Sequence, residues 1–119
     1  MSSATVAEGL HSRAKASGDV KETSASGTSG NLLASAAGQG ARVYQLLVSN
    51  ANSTASTATV SYTLSGTAST LSLFVPGNNQ AILPNTGAPW AAADVGTAIT
   101  FAAGQSLTFS VYYLQGAGA

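Results

Sequence analysis

The clearest regularity along the chain is an alternation of apolar side chains with serine and threonine. "TATVSYTL" at 57–64 sets Ala58, Val60, Tyr62 and Leu64 against Thr57, Thr59, Ser61 and Thr63. That is the period-two signature of a strand with one face in a core and the other in water. "TLSLFV" at 70–75 repeats it, with Leu71, Leu73 and Val75 on one face and Phe74 on the other, and Pro76 and Gly77 close it. "RVYQLLVSN" at 42–50 is apolar on both faces, Tyr44, Leu46 and Val48 opposing Val43, Gln45 and Leu47, which predicts a central strand. "SLTFSVYYLQ" at 106–115 puts Leu107, Phe109, Val111 and Tyr113 on one face and Tyr112 and Leu114 on the other.

Weaker signals complete the body. "NLLASA" at 31–36 predicts a first strand, and "TAITFAA" at 97–103 a strand that turns at Ala103 and Gly104 into the last one. "QAILP" at 80–84 reads as an edge strand, because Pro84 cannot donate to a ladder. "NTGAPWAAADVG" at 85–96 is the longest irregular connection and carries the only tryptophan. Short strands separated by turn signals, without helical periodicity, predict an all-β fold: an antiparallel β-sandwich, jelly-roll-like, of about seven or eight short strands.

Residues 1–30 follow no such pattern. They are small and polar, with glycines at 9, 18, 27 and 30, and their only large apolar side chains short of residue 20 are Met1, Val6 and Leu10. So little apolar surface does not offset the entropy of ordering, which predicts an extended, flexible N-terminal arm over 1–30 ahead of a β-sandwich domain over 31–119. Helix is expected only in the arm, where "ATVAEGLHSRAKA" could form a turn or two on docking although Gly9 weakens it.

Charge sharpens the division. Glu8, Arg13, Lys15, Asp19, Lys21 and Glu22 lie in the arm, and beyond them only Arg42 and Asp94 are charged. Charged residues make up 7% of the chain, against roughly 25% in ordinary globular domains. Little electrostatic repulsion separates copies of such a body, so self-association or docking on a larger assembly is the expectation. A net charge of zero without a basic run argues against nucleic acid. The N-terminus has no apolar signal core, and no stretch approaches the roughly 20 apolar residues that span a bilayer, so synthesis in a cytoplasm without membrane insertion is expected.

The inventory of chemical groups is short. Cysteine is absent, which removes disulfides, thiolate nucleophiles and thiolate zinc sites. His11, the only histidine, falls in the arm with nothing placed to orient it. Asp94 is the single carboxylate of the body, too few for a paired-carboxylate hydrolase or a hard-cation site. The expectation is therefore no enzyme, no cofactor and no metal. Asp94 reads as a turn-capping loop residue, as a partner for Arg42, or as a subunit contact. The glycines of "AAGQGAR" are followed by no lysine and open no helix, so they read as a hinge, not a phosphate loop. Trp90 and Tyr112 are candidates for subunit contact, with an aromatic platform for a sugar ring as the alternative.

Taken together, "AAGQGARVYQLLVSN", "ATVSYTLSG", "LSLFVPGNN", "GAPW" and "AAGQSLTFSVYYLQ" resemble, over about residues 31–115, the small β-sandwich structural proteins of tailed bacteriophages. In particular they resemble the decoration, or cement, proteins that stud capsids. The resemblance is one of rhythm and not of an invariant motif. It implies a non-enzymatic virion protein on the capsid exterior, assembled as a homotrimer, with terminal arms that clamp the major capsid protein. On that reading Met1, Val6 and Leu10 are candidate apolar anchors of the arm, Arg13, Lys15 and Lys21 candidate contacts to acidic shell surface, and Arg42, Trp90, Asp94 and Tyr112 candidate subunit contacts. A phage fibre or tail module and a carbohydrate-binding β-sandwich module are the alternative readings.

Overall fold

A computed structural model of the chain describes residues 20–116, and all the regular structure in that range is antiparallel β. The strands are β1 (Val20–Leu33), β2 (Gly40–Asn50), β3 (Ser56–Leu64), β4 (Thr67–Val75), β5 (Asn79–Leu83), β6 (Ala91–Ala93) and β7 (Ile99–Gly116). They form one curled seven-stranded sheet ordered β4-β3-β7-β2-β5, with β1 also paired to β7 and β6 to β2. The concave side holds the core. Val43, Leu46 and Val48 of β2, Val60 of β3, Val75 of β4 and Ile99, Leu107, Phe109 and Val111 of β7 are each at most 2% exposed. Burying a side chain of this size stabilises by roughly 1.5–3 kcal/mol.

β7 organises the sheet. It is one continuous strand of 18 residues, where the glycine at 104 had predicted a turn between two. Its inward residues are all odd-numbered: Ile99, Phe101, Leu107, Phe109, Val111 and Tyr113 are buried, and Ala103 and Gln105 are half-buried. The period therefore runs through Gly104 without a break. What changes there is the partner. Residues 100–103 pair with β3 on the edge where residues 108–116 pair with β2. Gly104 lies where the strand is handed from one neighbour to another, which suits a residue without a side chain.

β1 lies along the other edge of β7 and begins at Val20, so residues 20–30 of the expected arm belong to the sheet. Residues 1–19 lie outside the described residues. Thr23, Ala25 and Gly27 are the half-buried positions of β1 between exposed serines, an alternation of small side chains that the ladder with β7 stabilises through backbone hydrogen bonds. The register shifts between Gly27 and Ser29, where β7 spends residues 103–106 on the transfer to β3, and again at Leu32, whose extra residue lets Leu32 and Leu33 both be buried. Gly30 has φ +156° and stands opposite Phe101, with a Cβ position 3.3 Å from the ring. The aromatic ring covers a stretch of backbone that offers no side chain of its own.

β2 also departs from simple alternation. Tyr44 has no partner position on β7 between Val43 and Gln45, a β-bulge that changes the phase of the strand. Ala41 and Val43 before it, and Leu46 and Val48 after it, all join the core cluster. Val43, expected opposite Leu46, is thus on the same side as Leu46. Tyr44 is 1% exposed yet lies outside that cluster. β6 falls inside the connection expected to be irregular. Its three alanines are buried against Ala41, Arg42 and Val43 of β2.

Candidate functional site

The side-chain hydrogen bonds of this molecule gather where loops tie the curled sheet together, in two knots. The first surrounds Asp94, directly after β6. The β3–β4 hairpin turns through Ser65 (φ 54°) and Gly66 (φ 76°), with Leu64 paired to Thr67. Positive φ at both central residues defines the type I′ hairpin, whose twist matches that of the strands it joins. Asp94 Oδ1 accepts the Ser65 N–H at 2.8 Å and Oδ2 the Gly66 N–H at 2.8 Å. The Asp94 N–H donates to the Thr63 carbonyl at 2.9 Å. Its carbonyl accepts the Thr97 N–H and hydroxyl at 3.0 and 2.8 Å. One residue therefore fastens the loop after β6 to the hairpin tip of β3 and β4.

Those N–H donors, Gly66 first and Ser65 second, hold the Asp94 carboxyl below its ordinary value. A carboxylate lowered in the folded state contributes stability that is present above its unfolded value and is lost as pH falls through the folded one. Asp94→Ala is therefore expected to lower the melting temperature at neutral pH. The gap from the unsubstituted chain should shrink as pH drops below about 4, the ordinary carboxylate range. Thermal denaturation at a series of pH values reads this directly, and a gap of constant size would mean that the carboxylate charge contributes nothing.

The second knot surrounds Asn50, 3% exposed at the end of β2. Its Nδ2 donates to the carbonyls of Thr54 at 2.9 Å and Val75 at 3.4 Å. Its Oδ1 accepts from the Asn52 backbone N–H and Nδ2 at 2.9 and 3.0 Å. Asn52 Nδ2 also donates to the Ser106 carbonyl at 3.0 Å, and Gln105 Nε2 donates to Thr54 Oγ1 at 2.6 Å. The β2–β3 loop is thereby bound to the end of β4 and to residues 105 and 106 of β7, and among the described residues every buried side-chain polar atom is satisfied.

The structure separates the candidate residues named from sequence. Met1, Val6, Leu10, His11, Arg13 and Lys15 lie outside the described residues. Lys21 is exposed on β1, opposite Tyr113. Arg42 is exposed on β2, between Leu114 and Ala92 of the flanking strands. No ion pair joins Arg42 to Asp94, whose two oxygens are taken by the hairpin tip. Trp90 is half-buried, its N–H bonded to the Val43 carbonyl at 2.8 Å and its Nε1 to the Pro84 carbonyl at 2.8 Å. It fixes the approach of the loop to β6. Tyr112 faces outward opposite Glu22 of β1. The Glu22 carboxylate accepts its hydroxyl and, by its charge, raises the phenol above its ordinary value.

These placements divide the outer surface. Glu22, Arg42 and Tyr112 lie on the outer face of β1, β7 and β2. The outer face of β3 and β4 carries only Thr57, Thr59, Ser61 and Thr63 opposite Phe74, Ser72, Thr70 and Ala68. An open depression at the hairpin end of these strands is lined by Ser61, Tyr62, Thr63, Ala68, Ser69, Thr70, Ala98 and Thr100, hydroxyls and two alanines without a charge. Among the described residues no three His, Cys, Asp or Glu side chains come together as a metal site, and no helix is long and apolar enough to cross a membrane. Large apolar groups are nevertheless exposed: Phe74 at 67%, Val95 at 55% and Ile82 at 53%. Phe74 was legible as an outward residue of its strand; Ile82 and Val95 were not, since neither lies in a segment with a marked period. The sequence matches no protein-family model and no curated protein.

Proposed function

We propose that this chain is a non-enzymatic structural protein that decorates and stabilises a bacteriophage capsid from outside. The body associates with copies of itself, and residues 1–19 engage the major capsid protein. One observation carries the reading: beyond Glu22 the chain has two charged side chains, Arg42 and Asp94, and Asp94 is engaged by a hairpin turn. A surface this poor in charge, on a body without a histidine or cysteine, suits burial against neighbours and offers little to proton transfer or nucleophilic attack. The resemblance in strand rhythm supplies the capsid, and the balanced charges before residue 20 suit a polar contact with a partner.

Within this reading the curled sheet is a β-sandwich of jelly-roll kind, whose two layers share β1 and β7 as strands that cross between them. Support comes from the transfer of β7 between β3 and β2 at residues 103–106 and from the matching register shift in β1, the device by which strands turn sandwich corners.

The test is sedimentation of the purified chain with capsid shells of the virus that encodes it, stripped of the protein. The full chain and Trp90→Ala should pellet with the shells, and a chain lacking residues 2–19 should stay in the supernatant. Retention of the shortened chain, or loss of binding in Trp90→Ala together with retained fold, would favour the carbohydrate-binding or fibre alternatives.

A further inference from the structure

A strand at the end of a sheet presents unpaired N–H and C=O groups, and soluble proteins guard such edges with charge, proline, bulges or short length. The described edges differ in this respect. β1 carries Lys21 and Glu22 and two register shifts. β5 has five residues and is followed by Pro84, and β6 has three. Of these devices β4 has only a proline just past its end, Pro76, and it is nine residues long. It pairs with β3 through nine consecutive positions without a shift, and among the described residues no strand pairs its other edge. No charged residue occurs between Arg42 and Asp94, and no proline occurs within β4.

The sequence of this edge fits a second copy of itself. "TASTLSLFV" folded about Leu71 places Thr70 opposite Ser72, Ser69 opposite Leu73, Ala68 opposite Phe74 and Thr67 opposite Val75. Each pair falls on one face of the extended sheet, because opposed positions whose numbers sum to an even value share a face. Phe74, 67% exposed, then meets the smallest side chain of the strand, and Thr70 and Ser72 bring two hydroxyls together. With no charge on either side, nothing repels the copies.

We propose that the free edge of β4 pairs antiparallel with the same edge of a second copy, about a two-fold axis through Leu71, so that two curled sheets become one continuous sheet. The inference rests on the reading of the chain as self-associating, though not on the capsid. The contact is isologous and closes at two copies; a trimer would require a separate surface.

The absence of cysteine allows a register-specific test with the full chain. Directly opposed residues have Cα atoms about 4.5–5.5 Å apart, within the range a disulfide spans. Diagonal neighbours are about 7–8 Å apart, outside it. Thr70→Cys and Ser72→Cys are both on exposed positions, so neither should disturb folding. Mixed and oxidised, the two variants should give a covalent dimer in about tenfold excess over either variant alone. Adding Phe74→Lys to both should abolish that dimer while circular dichroism stays unchanged. No crosslink above that of the single variants, or a crosslink that survives Phe74→Lys, overturns the proposal whatever oligomer the unsubstituted chain forms. The crosslink is read without any shell present, so its failure is distinct from failure of capsid binding.

Discussion

Phe109→Ala is expected to destabilise the protein by about 3–5 kcal/mol in equilibrium urea denaturation, the largest loss of any single truncation in the core. Phe109 is fully buried on β7, between Leu107 and Val111. Its cross-strand neighbours are Ala25 on β1 and Val48 on β2, and its ring centroid lies 4.4 Å from that of Phe101. Ala25 is too small to close over the space left behind, so the lost transfer energy is joined by a cavity. The strand is held on both sides by ladders, which limits its collapse into the void. Phe74→Ala provides the contrast. That ring is mostly exposed, and its removal should change the stability of a dilute monomer by no more than about 0.5 kcal/mol. Similar losses for the two variants would contradict the placement of the core on the odd-numbered face of β7.

Gly77→Ala should cost about 3 kcal/mol, the upper end of what overpacking does. A Cβ on Gly77 would stand 2.3 Å from the Ser53 carbonyl oxygen and 2.6 Å from its carbon. These are backbone atoms, and the loop that carries them is fixed by Asn50 and by the bond from the Asn78 N–H to the Asn52 carbonyl at 2.8 Å. Relief therefore requires the β2–β3 loop to move and the amide knot to open. Amide hydrogen exchange separates the two consequences: protection should fall at Asn52 and Asn78 first. A variant of unchanged stability would mean that the loop is free to shift.

The strands of the body were readable wherever the two faces differ in hydropathy. β3, β4 and β5 appear where alternation or a flanking proline placed them, and the inward faces of β3 and β4 are those read from Val60, Leu71 and Val75. Three features escaped for physical reasons. β1 was hidden because its half-buried residues are Thr23, Ala25 and Gly27, which differ little from the serines between them; its order comes from β7. The unity of β7 was hidden behind Gly104, a turn signal, although Ile99, Phe101, Leu107 and Phe109 keep one phase on both sides of it. The bulge at Tyr44 leaves no local trace in sequence, since a phase change inside a strand apolar on both faces looks like simple burial.

The knots were partly legible. Asp94 as the cap of a turn followed from its place in a loop. That Asp94 caps that particular turn, 28 residues earlier in the chain, depends on the curl of the sheet. Asn50 gave no signal, because an asparagine at a strand end is as common in solvent as in a core. The missing charges along 51–75 gain a location from the structure: they leave bare the outer face of β3 and β4 and the free edge of β4.

The central claim, a capsid decoration protein, is tested most directly by immunogold electron microscopy of particles purified from cells that carry the gene, with antibody raised against the purified chain. The account predicts gold distributed over the outside of closed shells, at many sites per particle. Label confined to tails or fibre tips, or a preparation in which the protein fractionates away from shells, would contradict it.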